Sequence, residues 1–110
     1  MTIYNLTCLN DQEAKVIANT LLEARLIVCA HRQPIQSSYR WEGTIHNETE
    51  VLLTMQSTEA YFDAIVALLN KTHTSPDYVL TMMPVLRTTP GVQEWLHENL
   101  VDVNHDSPSL

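Results

Sequence analysis

Residues 37–57 read Ser-Ser-Tyr-Arg-Trp-Glu-Gly-Thr-Ile-His-Asn-Glu-Thr-Glu-Val-Leu-Leu-Thr-Met-Gln-Ser, and no other stretch limits the fold as tightly. Both flanks alternate apolar and polar residues and are rich in aromatic and β-branched types, which predicts two strands joined through the polar run His46–Glu50. Successive side chains on a strand point to opposite faces. Tyr39 and Trp41 therefore share one face, and Arg40 and Glu42 the other. Val51, Leu53 and Met55 repeat the apolar face on the return strand, with Leu52, Thr54 and Gln56 opposite. Strands of eight or nine residues here exceed the usual ~5–6, so the hairpin is expected to project past its own sheet. A long edge strand with an aromatic stripe invites another chain to pair with it. The hairpin is read as the assembly device.

Composition narrows the function classes. Thirteen acidic against six basic side chains leave a net charge of −7, which opposes binding to a phosphate backbone. No nucleic acid partner is expected. The longest apolar runs, Leu26–Ala30 and Ala64–Leu69, fall far short of the ~20 residues that span a bilayer, so no membrane partner is expected either. Thr2-Ile3-Tyr4-Asn5 leads straight into a strand pattern with no basic-then-apolar leader. Cys8 and Cys29 are accordingly expected as free thiols in a reducing cytoplasm. With only two glycines, the chain has no phosphate-cradling loop and points to no organic cofactor.

The remaining chain supplies a familiar order. Ile3–Cys8 reads as a first strand. Asn10 is placed to cap a helix through the Glu13 amide, with Glu13 reaching back; Ala14, Ile17, Ala18, Leu21 and Leu22 then form its apolar stripe. Leu26–Ala30 feeds a second strand that Pro34 is expected to break or kink. After the hairpin, Ser57 or Thr58 caps a second helix with Phe62, Ile65, Val66 and Leu69 inward. Residues 70–77 turn the chain. Tyr78–Val85, apolar on both faces, predicts a strand covered on both sides, and Thr89 with Pro90 at the first helical position predicts a last helix with Val92, Trp95, Leu96 and Leu100 inward. Residues 1–100 thus form one α+β domain of order β-α-β-β-α-β plus a C-terminal helix, and 101–110 is a tail expected to fray. The first six elements are the split βαβ, ferredoxin-like arrangement, an antiparallel sheet in spatial order 4-1-3-2 with both helices on one face. Its open face would leave a large wet apolar patch on a monomer.

Several landmarks together carry a family resemblance: Leu21-Leu22-Glu23-Ala24-Arg25-Leu26-Ile27-Val28-Cys29, Ser38-Tyr39-Arg40-Trp41-Glu42-Gly43, Glu50-Val51-Leu52-Leu53, His73, Pro84-Val85 and Glu94-Trp95-Leu96. In this order and spacing the chain resembles the CutA-type divalent-cation tolerance family across residues 3–100. The resemblance implies a homotrimer held through the long hairpins, with Tyr39, Trp41, Val51, Leu53 and Trp95 at the interface. It also implies an inter-subunit ligand cleft involving Tyr39, Trp41, Glu42, Gln56 and Arg87, with His73 nearby. The chain departs from the family pattern at Thr74–Asp77, where a His-Pro-Tyr-Glu-like run is usual, and at Gln56, where the family carries lysine.

Among the residues themselves, Cys29 and His31 lie two apart on a strand and point to one side. Thiolate and imidazole suit Cu(I) or Zn, and imidazole with carboxylate suits Cu(II). Two ligands do not complete a site, so the rest would come from a neighbouring subunit or from Cys8, His46 or His73. Against this stands the structural reading, with Cys29 a small buried hydrophobe, His31 a surface residue, and His73 a C-terminal helix cap. The metal set is His73, Cys29 and His31, with Cu(II) or another divalent cation as the ion. No catalytic constellation is present, so the chain is not expected to be an enzyme. Two other readings stand beside metal tolerance. One is a PII-like sensor of small anions, held by Arg32, Arg40, Arg87 or Lys71. The other is a trimeric scaffold for a protein partner.

Overall fold

The computed structural model describes residues 1–102. Four strands, β1 (Thr2–Cys8), β2 (Cys29–Trp41), β3 (Thr44–Ser57) and β4 (Leu80–Pro84), alternate with helices α1 (Asp11–Glu23), α2 (Phe62–Thr72) and α3 (Val92–Asn99). The sheet order is β2-β3-β1-β4, and every pairing is antiparallel. This is the ferredoxin-like arrangement expected from the element order. The tail expected to fray lies, from residue 103 on, outside the described residues.

The core follows from alternation. Thr2, Tyr4, Leu6 and Cys8 of β1 are buried while the residues between them are partly exposed. Val51, Leu53, Met55 and Ser57 of β3 do the same beside them. Onto this face α1 lays Ala14, Ile17, Ala18 and Leu21, and α2 lays Ile65 and Leu69. Leu96 and Leu100 join the same cluster from the C-terminal end. Phe62 and Val66, expected inward, are only partly buried.

Capping sets where α1 starts and stops. Asn10 Oδ1 accepts from the Glu13 amide at 2.9 Å, and the Glu13 side chain returns to the Leu9 amide at 2.8 Å. At the other end Arg25 takes the left-handed conformation, φ 61°, with its amide on Leu22 O and the Leu26 amide on Leu21 O. Glycine usually holds that position. Here the Arg25 guanidinium instead donates to the carbonyls of Glu98 and Asn99, both at 3.0 Å, and ties α3 to α1.

The hairpin departs from the sequence reading in three ways. Its turn is Glu42-Gly43, not His46–Glu50: Trp41 pairs with Thr44, and both turn residues have positive φ, 50° and 81°. That is the two-residue geometry matched to strand twist, so the polar run belongs to β3. Its strands are thirteen and fourteen residues long, because β2 starts at Cys29 and runs through Pro34 without interruption. An edge strand tolerates proline where its missing N–H would face outward. Finally, Tyr39 pairs with His46 and Trp41 with Thr44, so both aromatics share a face with Leu52, Thr54 and Gln56, opposite Val51, Leu53 and Met55.

The last two elements are shorter than expected. β4 covers only Leu80–Pro84, and as an edge strand it is largely exposed, with Met83 47% accessible, so the described residues do not cover it on both sides. α3 begins after Gly91, whose φ is 93°, leaving Thr89 and Pro90 in the preceding turn.

Candidate metal centre

β1 ends at Cys8, α1 begins just after it, and α2 ends just before His73, its C-cap. The three termini meet. Cys8, Glu13 and His73 present a thiol, a carboxylate and an imidazole whose donor atoms all lie within 4.8 Å of one another. The Asn10 cap turns Glu13 inward, and alternation turns Cys8 toward the helices.

Each group already has work. Glu13 Oε1 accepts from the Leu9 amide and lies 3.8 Å from His73 Nε2, while Oε2 accepts from the Thr74 amide at 2.9 Å and from the Thr74 hydroxyl. Burial pushes the Glu13 carboxyl up, but the bonds from Thr74 and Leu9 outweigh it and leave it below the ordinary carboxylate range. His73 Nδ1 accepts from the Ser75 amide at 3.0 Å, and Nε2 faces the Thr7 carbonyl at 3.1 Å. A carbonyl only accepts and an amide N–H only donates. These two bonds fit a ring whose proton sits on Nε2. The Tyr78 ring packs at 5.3 Å from His73, and the Tyr78 hydroxyl donates to Asn70. Cys8 is wholly buried, and burial, then Glu13 and Glu50, push its thiol up to about 12. A thiol so held is a poor nucleophile.

As a donor set the cluster fits a divalent ion. Donor atoms around a tetrahedral zinc lie about 3.3–3.8 Å apart, so a modest closure of the present spacing would suffice. An ion's charge would also favour the thiolate that burial now disfavours. An apolar cleft of about 310 Å³, lined by Leu9, Val16, Thr72 and Thr74 among others, opens beside Glu13.

The other expected ligands lie elsewhere. Cys29 stands opposite Gln56 and His31 opposite Thr54, and their Sγ and Nε2 atoms are 3.9 Å apart. Both point to the open face. Cys8 stands opposite Val51, five residues along β3, or ~17 Å away on the other face. His73, Cys29 and His31 thus do not form one site in a protomer, and Cys8 and Cys29 are both unpaired.

The expected cleft residues do not converge within a protomer either. Tyr39 stacks on His46 at 5.4 Å, and its hydroxyl is held up by donating to Glu48. Trp41, 47% exposed, and Glu42 sit at the ribbon tip, twelve residues along β3 from Gln56, or ~40 Å. Arg87 lies in the exposed connection before α3, and Trp95, expected inward on that helix, is instead 39% exposed because Leu96 holds the buried face. Val51 and Leu53, expected at an interface, lie in the protomer's own core because they face the helices. Glu13 was readable only as a capping residue; its role beside His73 depends on α2 ending next to α1, which no local pattern encodes.

The profile of the CutA1 divalent ion tolerance protein family matches residues 2–99. The divalent-cation tolerance protein CutA of Pectobacterium atrosepticum is 30% identical over 86% of this chain and 86% of its own length. Mouse Protein CutA is 29% identical over 94% of this chain, which spans only 59% of that relative's length. Among solved structures, the periplasmic divalent cation tolerance protein CutA from Archaeoglobus fulgidus superposes with a TM-score of 0.86 at 26% identity, covering 90% of this chain and 98% of that one.

Proposed function

The chain belongs to the CutA1 divalent ion tolerance protein family, and we propose that it binds a divalent metal ion, copper foremost, as a non-catalytic homotrimer. The observation that carries this reading is the convergence of Cys8, Glu13 and His73, a sulfur, an oxygen and a nitrogen donor on three elements. Thiolate with imidazole suits copper and zinc, and the carboxylate widens the set toward Cu(II). His73 is the ligand retained from the sequence reading. Cys8 and Glu13 replace Cys29 and His31 as its companions, and the latter pair is left to a lesser open-face site that only a second copy could complete.

The trimer rests on the ribbon. Tyr39, Trp41 and Ile45 are 38%, 47% and 65% exposed on strands too long for their own sheet. Copies packed through it would also bring Tyr39, Trp41 and Glu42 of one protomer toward the Gln56 and Arg87 region of the next, forming an inter-subunit cleft. A cytoplasmic location is proposed with this reading, since a reducing compartment would keep the Cys8 and Cys29 thiols available as ligands. Among the described residues, no helix is long and apolar enough to cross a membrane.

Calorimetric titration with Zn(II) and with Cu(II) is expected to show about one ion per protomer, lost in Cys8→Ser and His73→Ala. Binding that survives both but disappears in Cys29→Ala would move the site to the open face. Absence of heat from either ion would remove the proposal. A second reading, a trimeric scaffold for a protein partner, draws on the same exposed aromatics and gains if no ion binds while the trimer persists. The anion-sensor reading loses two of its holders: Arg32 is paired with Asp11 at 2.8 Å, and Lys71 lies in the last turn of α2, away from the ribbon.

A further inference from the structure

His73 is wired at both nitrogens, and this wiring must change before Nε2 can ligate an ion. Nε2, which lies toward Glu13, carries the ring proton and gives it to Thr7 O; Nδ1 keeps its lone pair for the Ser75 amide. A neutral imidazole has one proton and one lone pair to distribute between two nitrogens. We propose that His73, on giving its Nε2 lone pair to an ion, carries its proton on Nδ1 and so expels the Ser75 amide, transmitting occupancy of the buried site to the exposed residues 75–77. The inference rests on the metal reading above and concerns how that site is read from outside.

The proton balance is explicit. The imidazole stays neutral: Nε2 loses its proton, Nδ1 gains one, and solvent mediates the exchange. The Cys8 thiol releases its own proton to solvent, so about one proton leaves per ion bound near neutral pH. Two N–H groups cannot face each other across 3.0 Å, so the Ser75 amide must turn away once Nδ1 is protonated.

The movement has definite limits. Thr74 remains held through its amide and hydroxyl by Glu13 Oε2, because Oε1 is the carboxylate oxygen nearer His73. Tyr78 remains held by Asn70 through its hydroxyl. Between these anchors Ser75 is the hub, since its hydroxyl also accepts from the Asp77 amide at 3.2 Å. Ser75, Pro76 and Asp77 are all exposed, so an event at a buried thiol and imidazole is displayed on the surface.

The test is a titration of the full ¹⁵N-labelled chain with diamagnetic Zn(II), following long-range ¹H–¹⁵N correlations of the imidazoles and amide hydrogen exchange. The expected result is a change of His73 from the Nε2–H to the Nδ1–H form, with Ser75 amide exchange accelerating roughly ten-fold, the worth of one hydrogen bond. The Leu53 amide should not change. Ser75→Ala, which keeps the amide, should behave in the same way. If calorimetry shows Cys8-dependent zinc binding while His73 stays Nε2–H or the Ser75 amide does not respond, the coupling is wrong and the metal site stands. If zinc does not bind, the site and the coupling fall together.

Discussion

The two halves of β3 have the same alternating habit and the same partner strand, yet different surroundings. From Val51 to Ser57 every second residue is buried; from Thr44 to Glu50 almost everything is exposed. The division falls at Cys8, the last residue of β1 to pair with β3. Beyond it, among the described residues, no third strand pairs with β3. Alternation decides which way side chains point, but burial depends on what the rest of the chain places there. The base of the sheet is completed within the protomer, whereas the ribbon keeps large apolar side chains with nothing of its own to cover them.

This contrast can be broken most directly by truncating one residue from each half. Leu53→Ala, at a fully buried position, should cost about 3–5 kcal/mol in urea unfolding. Ile45→Ala, at a site 65% exposed, should cost under about 0.5 kcal/mol in the dissociated protomer. Equal costs would mean that the ribbon is folded into a core of its own. Next in size, Trp41→Ala should leave the protomer's circular dichroism intact while weakening self-association by about 2 kcal/mol or more per contact. Sedimentation that shows no change in assembly would remove Trp41 from the interface.

Alkali should act chiefly on the base, where the raised groups are buried. Burial chiefly lifts both the Tyr4 hydroxyl and the Cys8 thiol to about 12. Because the folded values are raised, their contribution is complete below the unfolded values and is lost as pH climbs toward 12. The unfolding free energy should therefore fall from about pH 8.5 upward, by roughly 5 kcal/mol or more as the pH nears 12, and Cys8→Ser should flatten the early part of that decline. Glu13 works in the opposite sense: its lowered carboxyl contributes above about pH 4.3 and its contribution fades as the solution is acidified. At the tip the effect is local. Gly43→Ala meets no atom within 4 Å, so its cost is the backbone's alone, about 1 kcal/mol at φ 81°, and should appear as faster amide exchange near Trp41 and Thr44 rather than as a lower global midpoint.

Much of the architecture was readable from the residues, because the patterns of β1, α1 and the return strand agree with the fold at every level. The turn was misplaced for a physical reason. His46–Glu50 is polar because the ribbon is exposed there, and in sequence such a run looks like a turn, although Glu42-Gly43 carries the glycine that a two-residue turn demands. That error reversed which side of the return strand faces Tyr39 and Trp41. The metal centre was half legible. His73 could be singled out, but its neighbours Cys8 and Glu13 come from elements sixty residues and more away in sequence, and their meeting is a result of packing.

Pro34 has a consequence for solubility. β2 forms an outer border of thirteen residues, long enough to seed strand upon strand. A proline midway supplies no donor, and edge strands keep it facing outward, so an incoming chain meets a gap in the ladder at the point where Pro34 passes Val51. Orderly packing of a few copies can work around one missing bond, whereas indefinite stacking would meet the same gap in every layer. In this way the border can remain sticky enough to assemble without becoming the template of a fibre.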